Sequence, residues 1–127
     1  MKQSYNYKEW IIKADKDLEA AQTLFIQKKA YDIVCFHCQQ AVEKYLKAFL
    51  VFHGIRFEKI HDLWVLAQKA VKIEVNIKLF REKLKTLDAY YITARYPGDV
   101  LEYSWKEAKE ALTSANEIIK FLKERMK

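Results

Sequence analysis

Apolar residues recur along this chain at three- and four-residue steps. Tyr7, Ile11, Ala14, Leu18, Ala21 and Phe25 make one such stripe and predict an amphipathic helix from roughly Tyr5 to Lys28. After a short connection, Lys29 to Asp32, comes the run YDIVCFHCQQAVEKYLKAFLVFH, ending at His53. Read as a helix, it is apolar almost all round. Val34, Cys38, Ala41, Tyr45, Phe49 and Phe52 share one face, and Ile33, Phe36, Leu46 and Leu50 widen it. The interruption is a stripe of His37, Gln40, Lys44 and Lys47, with Gln39 and Glu43 beside it. A helix this apolar belongs at the centre of a domain or at a subunit interface. Its polar stripe has to face water, a ligand or a partner, because buried unpaired polar groups are costly.

Gly54 is a natural stop for that helix. Residues 55–60, IRFEKI, read as a loop, after which His61 or Asp62 can cap a short third helix carrying Leu63, Leu66, Ala67, Ala70 and Val71. The β-branched stretch Val71 to Ile77 reads as a turn flanked by helix ends. A fourth helix places Phe80, Leu84, Leu87, Tyr91 and Ala94 on one face and ends before Pro97, since proline disfavours helical geometry in the residue before it. Ser104-Trp105-Lys106-Glu107 is a capping box. It opens a last helix with Trp105, Ala108, Leu112, Ala115, Ile119, Leu122 and Met126 on one stripe. No repeat, low-complexity segment or linker interrupts the pattern, so a single domain over residues 1–127 is expected. Antiparallel helices with short connections make an all-α up-and-down bundle the economical architecture.

Composition sharpens this picture. The chain has 127 residues, 51% of them hydrophobic and 14% aromatic, enough for one sizeable core and too apolar for disorder. Two glycines and one proline are too few for a fold built on tight turns. The net charge of +6 is scattered among 17 acidic residues, and even the most basic stretch, KLFREKLK from Lys78 to Lys85, contains Glu82. Such a pattern reads as a solvated helix face, compatible with a weak affinity for anions or RNA but not requiring one. Cys35 and Cys38 form a CFHC sequence. With no second pair, and with His37 pointing elsewhere on the same turn, they read as buried free thiols rather than as a metal or redox site. Free thiols point to a reducing cytoplasm, no signal peptide is read before the first helix, and no uncharged run is long enough to cross a membrane. The chain has no glycine-rich phosphate loop, HExxH, GxSxG or dinucleotide fingerprint, so no metal or cofactor is expected.

Three constellations carry candidate chemistry. On the second helix, Lys44 and Lys47 could meet a phosphate oriented by His37 or Gln40; the plainer reading is a solvent strip. In Ala94-Arg95-Tyr96-Pro97-Gly98-Asp99, Arg95 offers a planar fork for phosphate and Tyr96 a face for a base, beside Asp99. An arginine in a helix's last turn can equally serve the helix dipole. In the segment Arg56 to Asp62, His61 could act as general base on a ribose 2′-hydroxyl while Arg56 stabilises developing charge. A local cap is the stronger reading there.

FHCQQAVEKYLKAFL, then KIHDL, then ARYPGD, in this order and at these distances, resemble the HEPN domain, a nucleotide-binding domain of higher eukaryotes and prokaryotes. The resemblance runs from DLEAAQTL in the first helix to ALTSANEIIKFL in the last. It implies a bundle of about five helices and, in many members, a homodimer. Small prokaryotic members are often encoded beside a minimal nucleotidyltransferase, with which they form a toxin–antitoxin-like pair. Some branches are metal-independent ribonucleases carrying a late R-x4-6-H motif with a polar residue after the arginine. Here Arg56 is followed by Phe57, Arg95 has no histidine after it, and His61 is the last histidine. The resemblance therefore implies a non-enzymatic binding or adaptor module more than a nuclease. Its site would comprise Lys44, Lys47, His61, Arg95, Tyr96 and Asp99. The alternatives are an RNA-cleaving toxin using Arg56, His61 and Arg95, and a structural dimer without a ligand.

Overall fold

In the computed structural model, residues 6–90 and 103–127 are described. They form five α-helices and one 3-10 helix, with no strand among them: α1 (Tyr7–Ile26), α2 (Tyr31–Phe52), α3 (Leu63–Val71), the 3-10 helix (Val75–Phe80), α4 (Arg81–Asp88) and α5 (Trp105–Glu124). The predicted all-α bundle is the observed fold.

Helix α2 is its axis. It packs most extensively on α1, then on α5, with α3 and α4 covering the remainder. Val34, Cys38, Ala41, Tyr45 and Phe49 are fully buried, as are Leu46 and Leu50 of the residues that widen that face, while Ile33, Phe36 and Phe52 are half-buried. Across the seam, α1 contributes Ala14 and Ala21, whose small side chains let the two helices approach closely. Helix α5 supplies Ala108, Ala111, Ala115, Ile118, Ile119 and Leu122 to the same core.

The helix ends follow local chemistry. Helix α1 starts two residues later than its stripe suggests because Asn6 is its cap. The Asn6 side chain accepts from the Glu9 amide at 3.0 Å, and the Glu9 carboxylate accepts from the Asn6 amide at 3.1 Å. Ser104 and Glu107 form the capping box expected at α5. Asp62, not His61, caps α3, accepting from the Val65 amide at 3.1 Å. The link into α2 is tight, with Lys28 (φ 58°) and Ala30 (φ 53°) both in the left-handed region. The turn read at Val71 to Ile77 instead passes into the 3-10 helix. Glu74 caps that helix through the Asn76 amide and pairs with Arg125 at 3.0 Å. Helix α4 closes at Asp88, with Ala89 as its cap. Tyr91 and Ala94, placed on its face by the sequence, lie outside the described residues.

Candidate functional site

Helix α2 places its polar residues in two rows. Gln39, Glu43 and Lys47 follow one another at i, i+4 spacing, and His37 and Lys44 lie seven residues apart on an adjacent line. The first row is buried and the second is partly exposed.

The outer row meets α1. His37 Nδ1 donates to Asp17 Oδ1 at 2.8 Å, and the Lys44 ammonium donates to the other oxygen, Oδ2. Burial by itself would raise the Asp17 pKa, but the hydrogen bonds and charges of His37 and Lys44 outweigh it and hold the carboxyl below its usual range. Deeper along α1–α2, the Tyr45 hydroxyl donates to Asp15 at 2.5 Å, and burial together with that carboxylate pushes the phenol pKa up.

The inner row is buried. Glu43 is 3% exposed and Lys47 7%. Their ion pair is 3.0 Å long, and the second Glu43 oxygen accepts from Gln39 Nε2 at 3.3 Å. Gln39 takes a further bond from Gln40 at 2.7 Å and reaches the His61 carbonyl at 3.4 Å. From the link before α3, His61 brings Nδ1 to 3.2 Å from Glu43 Oε2, its ring half exposed. Above Lys47 lie two rings, Trp10 at 5.2 Å and Phe57 at 5.9 Å, themselves edge to face. A carboxylate this deep is tolerable because ammonium, imidazole and amide all converge on it.

Beside this cluster, Asp62 and Asp88 sit together at the start of α3, where Asp88 accepts from the Leu63 amide at 3.2 Å. Burial, with the nearby Asp62 and Glu43 carboxyls adding to it, lifts the Asp88 pKa to about 6 against the pull of that hydrogen bond. On the other side, Glu9, Trp10, Lys13 and Lys44 line a recess of about 300 Å³ at the α1–α2 seam.

Of the residues singled out in the sequence, Lys47 and His61 meet at Glu43, while Lys44 is bound separately to Asp17 on α1. Arg56 is exposed on the connection between α2 and α3. Arg95, Tyr96 and Asp99 lie outside the described residues. Cys35 and Cys38 are free and buried, and burial pushes the Cys35 thiol up to about 12. Among the described residues, no group of three or more His, Cys, Asp and Glu is placed to hold a metal ion. No helix there is long and apolar enough to cross a membrane.

Sequence reading missed Asp17 and Trp10. Both lie on the row Trp10–Ala14–Asp17–Ala21, and an acid between two buried alanines is the signal that could have marked a charged partner for α2. Trp10 and Trp64 are both half-buried. Trp10 packs on Phe57, and Trp64 carries the Arg81 guanidinium at 5.4 Å.

A helical bundle with a charged, histidine-bearing seam on its central helix defines a class of small all-α domain. The chain belongs to the HEPN domain family, whose model matches residues 7–125. It is 28% identical to Putative toxin MJ1304 of Methanocaldococcus jannaschii, over 94% of this chain and 88% of that protein. Two crystal structures share the fold. ST0689, an archaeal HEPN homologue, has a TM-score of 0.76 at 27% identity, covering 97% of this chain and 99% of its own. TT1696 from Thermus thermophilus has a TM-score of 0.81 at 30% identity, covering 93% and 96%.

Proposed function

We propose that this chain is the HEPN component of a toxin–antitoxin-like pair: a homodimeric, cytoplasmic binding module that engages a nucleotide and a minimal nucleotidyltransferase partner. The observation that carries the reading is the buried charge on α2. An ion pair as deep as Glu43–Lys47 contributes less stability than apolar residues of similar volume. The fold alone does not call for it, yet it lies beside His61 and the seam. The relative named as a toxin supports the toxin-like part of the reading. In this reading Lys44 and His61 supply polar contacts and Lys47 sets the charge beneath them. Arg95, Tyr96 and Asp99 form the other side of the site.

The test is expression in a heterologous host, alone and with a minimal nucleotidyltransferase. Growth arrest by the chain alone, relieved by a partner that co-purifies, is the expected outcome. The free chain should sediment near twice 15.2 kDa. Arg95→Ala should weaken nucleotide binding roughly ten- to hundredfold, the value of a charge-assisted hydrogen bond to phosphate. A harmless monomer that retains neither nucleotide nor partner refutes the proposal.

One observation favours the ribonuclease alternative. The Glu43 carboxylate holds His61 through Nδ1, as a carboxylate orients a general base, five positions after Arg56. RNA cleavage that is insensitive to chelators and lost in His61→Ala would establish it.

A further inference from the structure

The chain after α3 displays apolar side chains that the core does not use. Ile73, Val75 and Leu79 are three of the seven large apolar side chains exposed among the described residues, and they fall on one short stretch. Leu79, 79% exposed, is the most open of the seven. The 3-10 geometry forces this display, because side chains three apart share an edge. Ile77 is buried, and Phe80 meets Phe121 of α5 edge to face at 5.2 Å, so their common edge points inward. Val75 and Lys78 then share a second edge, Asn76 and Leu79 a third, and all four are exposed. The turn is fastened at its start, where Glu74 pairs with Arg125 at 3.0 Å. Around it, residues 69–85 carry six basic side chains against two acidic ones. Glu74 is taken by Arg125, Lys83 is taken by Glu117, and Arg81 lies over Trp64. Lys69, Lys72, Lys78 and Lys85 make no ion pair or side-chain hydrogen bond among the described residues.

An apolar edge framed by uncommitted lysines selects a partner that is both apolar and negatively charged. A second copy of this chain would set lysine against lysine across a two-fold axis. A nucleic-acid backbone would satisfy the lysines and leave Val75 and Leu79 in water. Composition disfavours a protein partner. Tyrosine, tryptophan and arginine anchor protein interfaces and lysine is depleted from them, whereas this patch is leucine, isoleucine, valine and lysine. We propose that the 3-10 turn is a docking surface for an anionic lipid membrane. Ile73, Val75 and Leu79 enter the headgroup layer, Lys72 and Lys78 meet lipid phosphates, and Lys69 and Lys85 add to the attraction. Lysine suits that task, since its flexible stem lets a point charge follow a diffuse negative surface. The contact lies on the membrane and does not cross it. One short turn with four lysines makes it reversible and sensitive to salt.

The test sediments the full chain with vesicles of phosphatidylcholine, either pure or mixed with phosphatidylglycerol. The chain should bind the mixed vesicles and not the pure ones, and high salt should release it. Each lysine near such a surface is worth roughly fivefold in partition, so Lys72→Gln and Lys78→Gln together should weaken binding roughly 25-fold. Leu79→Ser should weaken it roughly tenfold at constant charge. These side chains are exposed, so the melting curves should match the parent's. Ile26→Ser is the control. Ile26 is 77% exposed, but its neighbour Phe25 stacks on Trp105, at the opposite end of α5 from Arg125. The 20 residues of α5 separate those ends by ~30 Å, so this change should leave binding as it was. Equal binding to the two vesicles, or none, overturns the proposal. Leu79→Ser binding as well as the parent overturns the apolar contact and leaves only scattered positive charge. An equal loss in Ile26→Ser overturns the location. No vesicle binding, with loss of a co-purifying nucleotidyltransferase in Leu79→Ser, overturns the membrane in favour of a protein partner.

Discussion

The buried pair on α2 gives the sharpest quantitative test. Glu43→Leu leaves the Lys47 ammonium 7% exposed with no carboxylate, facing only the rings of Trp10 and Phe57. Removing one member of a buried pair costs about 3–5 kcal/mol. An unfolding entropy of about 2.1 cal/mol/K per residue gives ~0.27 kcal/mol/K for this chain, so each kcal/mol moves Tm by about 4 °C. The expected fall is therefore about 11–19 °C. Lys47→Met is milder, because Glu43 keeps Gln39 at 3.3 Å and His61 at 3.2 Å. The cost there is about 1–3 kcal/mol, or roughly 4–11 °C. In the double variant no charge is left stranded, and stability should return to within about 1 kcal/mol of the parent or exceed it. Melting followed by circular dichroism, with urea titration as a second measure, reads all four proteins. A double variant as unstable as the sum of the singles would show that the two side chains act independently, and would refute both the asymmetry and the claim that the fold does not need the pair.

Three further outcomes are expected. The Asp88 pKa is raised from 3.8 to about 6, so between those values the folded state binds more protons than the unfolded one; its contribution to stability falls as pH rises from about 4 to about 6, and Asp88→Asn should flatten urea midpoints across that window. A steeper slope in the variant would contradict the burial of that carboxyl. Cys35 and Cys38, buried with raised pKa values, should label slowly in the native protein at pH 8 and fully in urea; native labelling at the unfolded rate would show that α2 is not central. Ser104→Ala should cost about 1 kcal/mol, or ~4 °C in Tm, by opening the α5 capping box, and no change would mean the cap is idle.

Much of the fold is legible because each long helix repeats its apolar positions for several turns. The central place of α2 follows from its being apolar almost all round, where α1 and α5 each carry a single stripe. The places where reading slipped have particular causes. The Asn6–Glu9 box has the spacing of Ser104–Glu107, but an asparagine ahead of a weakly apolar first turn is easily passed over. The 3-10 helix at Val75–Phe80 is hidden because β-branched Val75 and Ile77 signal extended chain, while the Glu74 cap and its Arg125 partner, 51 residues away, override that preference. At Ala30 and Lys28 nothing in the side chains announces a left-handed backbone, since glycine is the usual sign of it.

The site was less legible for a different reason: its meaning depends on pairs that no local pattern contains. The stripe on α2 reads as solvent-facing because four polar side chains at helical spacing usually are. What turns it inward is Asp17, 20 residues before His37 and 27 before Lys44, and His61, 18 residues after Glu43. Each carboxylate gathers one lysine and one histidine, yet the two sets differ in depth. The Asp17 set lies at the rim of the recess, where an exchange of partners costs little because water replaces what is lost. The Glu43 set lies beneath Trp10, where desolvation makes any unpaired charge expensive. A ligand at this seam can therefore compete for Lys44 but not for Lys47, so the inner pair acts as a fixed foundation and the outer one as the exchangeable contact. Phosphate specificity in such an arrangement must come from a cation that is not already committed.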